Sequence, residues 1–406
     1  MAHEPLVLVS QAKPGRTGWL NRNVAAMCAA SLFSDMSHEA ATAILPLFLT
    51  TLGAGAAALG VIEGAADAVA SFFKLLAGYY SDRIGKRKAL AAAGYIVTGV
   101  AKPLFALATS WHQILGLRAV AWLGRGTRGP VRDAMMADSV TPETYGRAFG
   151  LHRAMDTLGA MLGPLAALLL LHYAVSYRTI FWLTAMPAAL AVGAILLVRE
   201  PKRTANHGLR FWQTVAALPS SFRRFTLAAG IFGIGNFAHS LLTLRAIELL
   251  TPSLGKGRAG VVAVGLYTFH NLLYAGLSFP AGWLGDRRSK RALLAGAYCL
   301  FGLLALGLAR QTSSIAFLLL LFGAAGAYIA FVDALEGAYA AELLPAPVRG
   351  TGYGVLSTVN GVGDFVSSVL VGVLWSRVSA SAGFGYAAAA GFAGALTLIL
   401  LRGERS

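Results

Sequence analysis

Two stretches of the sequence decide the fold, GYYSDRIGKRK at 78–88 and GWLGDRRSKRA at 282–292, because each is a copy of the other. Each begins with a glycine, continues with an Asp-Arg pair and ends in basic residues, and the two copies lie 204 positions apart. The same offset relates residues well outside the two stretches: Ala137 and Ala341, Asp138 and Glu342, Gly146 and Gly350, Gly150 and Gly354, and Gly159 and Gly363. A common register over this length predicts that the chain consists of two parallel repeats of one unit.

The repeated unit is too apolar for a water-facing surface. Hydrophobic residues make up 56% of the 406 residues and charged residues 13%, whereas soluble domains carry about 25% charged residues. The net charge of +16 could suggest a nucleic-acid binder, but such a protein needs its basic residues on a hydrated face. Here the basic residues interrupt long apolar runs, so we expect an integral membrane protein that binds the lipid bilayer and no nucleic acid.

A helix that crosses a bilayer needs about 20 mostly apolar residues. Twelve such runs are present, at 24–50, 57–80, 89–109, 112–137, 146–172, 178–198, 224–250, 259–281, 291–309, 313–340, 349–376 and 382–401. We therefore predict an all-α membrane protein with twelve transmembrane helices in two pseudo-symmetric halves.

The basic residues predict how the helices are oriented. They fall on alternate connections between the apolar runs: Arg83, Lys86, Arg87 and Lys88; Lys202, Arg203, Arg210, Arg223 and Arg224; Arg287, Arg288, Lys290 and Arg291. By the positive-inside rule these connections are cytoplasmic, and an even number of helices then places both termini in the cytoplasm. The longest polar stretch, at 199–210, divides the chain into a first half (1–198), a linker (199–223) and a second half (224–406).

The two opening stretches resemble motif A of the major facilitator superfamily, G-x-L-x-D-R-x-G-R-[RK]. The first copy has Tyr80 at the usual leucine, and the second has Ser289 at the usual glycine. The repeat, the twelve runs and the central linker extend the resemblance over nearly the whole chain. It implies a monomeric secondary transporter of the inner or plasma membrane, not an enzyme. No cofactor is implied, and a proton is the expected coupling ion.

In that family motif A forms a gate at the cytoplasmic side. The residues that match it are Gly78, Asp82, Arg83, Lys86 and Arg87, and Gly282, Asp286, Arg287, Lys290 and Arg291. The expected partners of the first copy are Asp138 and Arg147, repeated in the second half as Glu342 and Arg349. Charge pairs that form only when this side is closed favour the outward-facing state. If these charges served only to set the orientation of the helices in the membrane, the basic residues would be explained, but the two aspartates would not.

A second resemblance concerns the fifth run. Gly150, Gly159, Gly163 and Pro164 fit the family's motif C, with Ala167 where a further glycine is usual. That motif is typical of proton-linked exporters, and it indicates the drug/proton-antiporter-like branch. The alternative is that Gly159 and Gly163 form a small-residue packing surface, which is common in helix bundles.

Ionisable residues inside a bilayer are costly and therefore functional candidates. The depth of each residue in the bilayer is taken from its distance to the ends of its apolar run. Arg125 lies nearer the cytoplasmic side, and Asp333 and Glu336 lie near the inner end of the tenth run. The residues expected at the midplane are Asp35, His38, Glu39, Asp67, Asp156, His239, His270, Asn360 and Asp364.

The first run contains the sharpest feature within that set. Asp35, His38 and Glu39 share one helix face by their i, i+3 and i+4 spacing. A carboxylate there could bind a proton in one state and release it in another, and His38 could relay that proton. Asp156 is a second candidate for the proton-binding site. Alternatively, Asp156 pairs with Arg153 and Asp35 or Glu39 pairs with an arginine of the fourth run, without any transport.

Three functions remain open. The first is a proton-coupled exporter of a small organic solute, whose acidic cavity would favour cationic or neutral compounds. The second is transport of a divalent transition metal or metal chelate, for which Asp35, His38, Glu39, His239 and His270 would supply oxygen and nitrogen ligands. The third is a membrane receptor that transports nothing.

Overall fold

A computed structural model describes residues 18–54, 56–200 and 210–400, and all regular secondary structure in these ranges is helical. The first half has six membrane-length segments: helix 1 (Arg22–Thr51), helix 2 (Ala56–Ile84), helix 3 (Arg87–Ala101, continued by the 3-10 turn Pro103–Leu107), helix 4 (Trp111–Asp138), helix 5 (Tyr145–His172) and helix 6 (Tyr177–Leu183 and Ala185–Leu196). Of the predicted linker, residues 201–209 lie outside the described ranges, as do both chain ends.

The second half repeats this order after a short helix, Phe211–Ala216. Helix 7 consists of Ser220–Gly233 and the beginning of the long helix His239–Gly285. That long helix is interrupted at Gly255, whose φ of 74° lies in the left-handed region that glycine adopts without strain. The remaining segments are helix 8 (Gly257–Gly285), helix 9 (Lys290–Ala309), helix 10 (Ile315–Leu343), helix 11 (Arg349–Arg377) and helix 12 (Ala380–Leu400). The predicted fold class is confirmed.

Eight helices in the described ranges are long and apolar enough to cross a membrane by length and composition: helices 3, 5, 6 and 8 to 12. The other four are helices 1, 2, 4 and 7. Helix 7 is interrupted between Gly233 and His239, and helices 1, 2 and 4 carry several charged residues. Asp35, Arg118 and Arg128 are among these charges, and all three are buried inside the bundle. The buried charges of helices 1 and 4 therefore lower their mean hydropathy, although apolar helices such as helix 10 also carry a buried charge, Glu336.

Equivalent helices pack in equivalent ways. Helix 1 contacts helices 5 and 6, as helix 7 contacts helices 11 and 12, and helix 2 contacts helix 4, as helix 8 contacts helix 10. The halves meet through helix 2 against helix 11 and helix 5 against helix 8. These two contacts are also related by the repeat, so one interface is built twice.

Glycines set the distance between the halves. A Cβ atom on Gly78 would lie 2.2 Å from the carbonyl oxygen of Gly350, and one on Gly282 would lie 1.9 Å from the carbonyl oxygen of Gly146. Any side chain at these positions would force the helices apart. The glycine of motif A is therefore required because the backbones of the two halves touch there.

Replacing Gly282 by alanine tests this contact. We expect Gly282→Ala to lower the free energy of unfolding by about 1–3 kcal/mol, the usual cost of overpacking. Thermal unfolding of the full chain in detergent measures the change.

The matched control is Gly276→Ala on the same helix, where an added Cβ would meet nothing within 4 Å. This variant should be neutral or slightly stabilising, because alanine is the better helix former. Equal stability of the two variants would contradict the close approach.

Candidate functional site

The end of the bundle that carries both copies of motif A, here called the motif end, is closed by carboxylates that reach across the interface. Asp82, at the end of helix 2, accepts hydrogen bonds from the backbone N–H groups of Gly350 (3.1 Å) and Thr351 (2.7 Å) and from the hydroxyl of Thr351 (2.9 Å). These groups belong to the first turn of helix 11. A negative charge is favourable there because the first N–H groups of a helix lack partners within it.

Asp286 makes the equivalent contact from the second half to the first. It accepts hydrogen bonds from the backbone N–H groups of Gly146 (2.6 Å) and Arg147 (3.0 Å), at the start of helix 5, and from Nε of Arg147 (2.8 Å). Each half therefore supplies the aspartate that caps a helix of the other half.

A chain of charges extends the first contact. Arg87 hydrogen-bonds both Asp82 and Asp138. Asp138 in turn accepts a hydrogen bond from Arg349 (2.8 Å), which also donates to the hydroxyl of Tyr145 (2.7 Å). The second copy has a shorter version, in which Lys290 contacts Glu342 (2.5 Å) within its own half.

The expected gate residues do not all take part. Arg147 contacts the second copy of motif A instead of the first, because the aspartates exchange between halves. Lys86 is exposed, Arg83 donates a long hydrogen bond to Tyr79 (3.4 Å), and Arg287 stacks on Trp283 with 3.7 Å between the guanidinium carbon and the ring centroid. Arg291, in the first turn of helix 9, is half-buried. Thr351 and Tyr145 also take part and were not predicted, although they stand next to Gly350 and Gly146, which the 204-residue offset relates.

The glycines of motif C lie where helix 5 touches its neighbours. A Cβ on Gly159 would lie 2.2 Å from the carbonyl oxygen of Leu32, and one on Gly163 would lie 2.5 Å from that of Met36, both on helix 1. Gly150 makes the same kind of contact with helix 8, and Pro164 follows inside helix 5. This is the geometry that the packing alternative requires.

In the first half, Asp35 is buried among arginines of helix 4. Its carboxylate oxygens lie 3.2 Å from Nη2 of Arg128 and 3.9 Å from Nη2 of Arg125. Arg128 also donates to the hydroxyl of Ser34. The charge pair between helices 1 and 4, one of the two possibilities raised by the sequence, is therefore present.

Asp156 lies on helix 5 close to this pair. It accepts a hydrogen bond from Ser31, and its other oxygen lies 3.5 Å from Nη1 of Arg153. Nη1 of Arg132 is 3.3 Å from the same Ser31 hydroxyl. Asp156 thus has both a local arginine and a link to helices 1 and 4.

The remaining candidates of the first half surround Trp122. Its indole N–H donates to Asp67 (3.0 Å), and its ring lies 4.5 Å from that of His38. Nε2 of His38 is 3.8 Å from the carboxylate of Glu39, while its Nδ1 is buried without a hydrogen-bond partner.

The second half contains a cavity of about 400 Å³ beside the break in helix 7. Polar side chains from helices 7, 8, 10 and 11 line it: Asn236, His239, Tyr274, Asp333, Glu336, Asn360 and Asp364. Three of these, His239, Asn360 and Asp364, were predicted for the midplane. Asp333 and Glu336, predicted near the inner end of helix 10, line the same cavity.

Neutral donors satisfy the three carboxylates of this cavity. Glu336 accepts from the hydroxyl of Tyr298 (2.7 Å) and the amide of Asn360 (2.7 Å), and Asp364 accepts from the amide of Asn236 (3.1 Å). Asp333 accepts from the hydroxyl of Tyr274. Nowhere in the described ranges does a cation lie within 4.0 Å of any of them.

The proposed metal ligands do not come together. His38 and Glu39 are neighbours on helix 1, whereas His239 and His270 contact each other in the second half with 4.8 Å between their ring centroids. In the part of the chain that the structure describes, no three His, Cys, Asp or Glu side chains are grouped to hold a metal ion. The metal alternative therefore has no assembled site.

The expectation of an acidic cavity needs correction for the first half. Arg125 and Arg153 have 35% and 28% of their side chains exposed, and Lys74 is half-buried. These three cations are carried by helices 2, 4 and 5. The first half therefore presents basic groups together with the carboxylates of Glu39 and Asp67, while the cavity of the second half is lined by three carboxylates.

Comparison with known proteins gives the family. The Major Facilitator Superfamily model matches residues 27–269 and 246–406. An uncharacterised MFS-type transporter of Methanocaldococcus jannaschii is 30% identical over 383 residues, covering 94% of this chain and 95% of the relative. A probable 4-methylmuconolactone transporter of Cupriavidus pinatubonensis is 27% identical over 387 residues, covering 89% and 85%.

The fold is also that of solved transporters. The crystal structure of FucP in the outward conformation superposes with a TM-score of 0.78 at 14% identity, covering 94% of this chain and 99% of FucP. FucP is the fucose:proton symporter of Escherichia coli. With two motif A copies that cap each other's halves and a family match over nearly its whole length, this chain belongs to the Major Facilitator Superfamily and is a multi-pass membrane transporter.

Proposed function

We propose that the chain is a proton-coupled transporter that exports a small organic solute by alternating access. The motif end would face the cytoplasm of the inner or plasma membrane, so that the described conformation is the outward-facing one. Apart from one hydrogen bond between Thr358 and Ser71, the polar contacts that join the halves in residues 18–54, 56–200 and 210–400 lie at the motif end. Breaking them would let the opposite state form.

The contact of Asp35 with Arg128 and Arg125 carries the proton-coupling part of the proposal. A carboxylate between two arginines in a medium of low dielectric holds both cations in place. A proton on Asp35 removes its charge, frees the arginines and changes the balance between the two states. Asp156 and Ser31 extend the same cluster to helix 5, which contacts helix 8 of the other half.

The proposed direction rests on motif C, and the proposed cargo rests on a relative. Gly150, Gly159, Gly163 and Pro164 fit a motif typical of proton-linked exporters. The Cupriavidus relative is named as a probable transporter of 4-methylmuconolactone, and by analogy we propose a small organic compound as cargo.

The substitution Asp35→Asn tests proton coupling without a known substrate. Spin labels on Thr50→Cys and Ser253→Cys report the distance between helices 1 and 7 at the end opposite the motif end, in a background lacking Cys28 and Cys299. Lowering the pH should move the wild type away from the described conformation, by up to about tenfold in population per pH unit for one proton. Asp35→Asn should lie in the shifted population at every pH.

Two further variants separate coupling from structural support. Asp133→Asn also removes a carboxylate from an arginine, Arg132 at 3.1 Å, and should keep the pH response. The double variant Asp35→Asn/Arg128→Gln removes both charges of the pair and should remain insensitive to pH. A normal pH response in Asp35→Asn would show that this carboxylate is not the coupling site.

The gate is tested by Asp82→Asn. The amide cannot accept from Gly350, Thr351 and Arg87 as the carboxylate does, so the described conformation should lose about 2 kcal/mol, or roughly thirtyfold in the equilibrium between the two states. The same label pair should then report shorter distances between helices 1 and 7.

Lys86→Gln is the matched control, because it removes a charge from the same motif at an exposed position outside the network. Its distance distribution should equal that of the wild type. If Lys86→Gln and Asp82→Asn shift the distribution equally, motif A acts by overall charge and not by capping helix 11.

A further inference from the structure

Cations of the first half and carboxylates of the second half do not form direct ion pairs with each other at the centre of the described bundle, and the first half also presents the carboxylates of Glu39 and Asp67. Lys74, Arg125 and Arg153 belong to the first half, and Asp333 and Asp364 belong to the second. Within the described residues no salt bridge of 4.0 Å or less joins any of these cations to either of these two carboxylates.

Helix contacts fix the position of Lys74. Its Nζ lies 3.6 Å from the point where a Cβ on Gly361 of helix 11 would stand. Asp364 follows Gly361 by one helical turn, on the same face. Lys74 and Asp364 interact electrostatically, and no hydrogen bond or ion pair of Lys74 occurs in the described part of the chain.

Arg153 has the same relation to Asp333. Phe149, one helical turn before Arg153 on helix 5, packs on Gly337 of helix 10. A Cβ atom on Gly337 would lie 2.7 Å from the ring of Phe149. One turn further from the motif end, Arg153 faces Asp333, with which it interacts electrostatically beyond ion-pair distance. Nε of Arg153 is buried without a hydrogen-bond partner. So is Nε2 of His239, which lines the cavity of the second half.

We propose that this transporter recognises zwitterionic solutes, with the cationic group at Asp333 and Asp364 and the anionic group at Lys74 and Arg153. The inference rests on the proposed transport of a small organic compound and specifies its class. The cavity of about 400 Å³ holds a small organic molecule, and Phe232 and Phe237 give part of its wall an apolar surface.

Electrostatics favour a zwitterion over either of its singly charged analogues. A solute with only a positive charge satisfies the carboxylates and is repelled by the cations opposite. A solute with only a negative charge meets the reverse problem. A zwitterion compensates both faces at once, so removing either charge from the solute leaves Lys74, or Asp333 and Asp364, without an oppositely charged group.

The test uses the full chain in detergent and a panel of aliphatic and aromatic amino acids, each compared with its methyl ester and its des-amino acid. Ligand binding is measured by thermal stabilisation, which rises with occupancy. We expect at least one zwitterion to bind about tenfold or more tightly than both of its analogues. A panel in which no zwitterion exceeds both analogues overturns the proposal.

Two variants then assign the ends of the solute. Lys74→Gln should abolish the preference for the zwitterion over its methyl ester and keep the preference over its des-amino acid. Asp364→Asn should abolish the preference over the des-amino acid and keep the preference over the ester. Arg223→Gln and Glu143→Gln remove exposed charges and should change neither preference. General misfolding would lower all affinities together and cannot produce the crossed pattern. Variants that lower both preferences equally would overturn the assignment.

Binding in detergent at one pH involves no proton gradient. Failure of proton coupling, seen with Asp35→Asn, would therefore leave this result intact. Failure of the zwitterion preference would likewise leave the coupling experiment unaffected.

Discussion

The structure depends on two carboxylates that each cap a helix of the opposite half. Asp82 and Asp286 bind the first N–H groups of helices 11 and 5, and this is possible only because Gly78 and Gly282 let the backbones touch. An apolar seal of the same area would also hold the halves together. Hydrogen bonds to helix N-termini differ in that water can replace them when the halves separate. The contact is therefore both specific and reversible.

Sequence alone predicts the parts that depend on local pattern. Apolar run lengths gave twelve helices, and the 204-residue offset gave equivalent residues in the two halves. The offset cannot tell whether an equivalent pair contacts within a half or between halves, since both arrangements preserve the repeat. For this reason Arg147 was expected beside the first copy of motif A and lies instead on Asp286.

The cavity of the second half was hidden for a different reason. Residues 234–238 interrupt helix 7 without a proline. The local signal for this break, Gly235 and Asn236, stands inside an apolar run long enough to be predicted as one continuous span. Depth counted along helix 10 placed Asp333 and Glu336 near its inner end. Their position beside Asn360 and Asp364 depends on helix 7 leaving space there, which is a tertiary effect.

The two halves keep equivalent residues at the motif end but not at the centre. The motif end holds the halves together, whereas the centre carries the groups proposed to bind a proton and a solute. Asp82 and Asp286 are equivalent and make equivalent contacts. At the centre the same offset relates Asp35 to His239, Arg132 to Glu336 and Lys74 to Ser278, so basic and acidic groups have been redistributed. Two like halves can move as one symmetric pair. Two unlike faces can hold an asymmetric solute in one orientation.

The two regions must be comparable in energy for transport to work. A proton or solute shifts the balance of states only by the difference in its affinity for them. A closure worth much more than that difference could never be reversed. At the motif end Arg147 and Glu342 remain 29% and 35% exposed, so water screens their ion pairs, whereas the pair of Asp82 with Arg87 is buried. The pair of Asp35 with Arg128 is also almost fully buried, so in the proposed coupling a proton on Asp35 would act on an ion pair that water screens little. The proposed coupling therefore sets one buried ion pair at the centre against a gate that combines a buried pair with partly exposed ones.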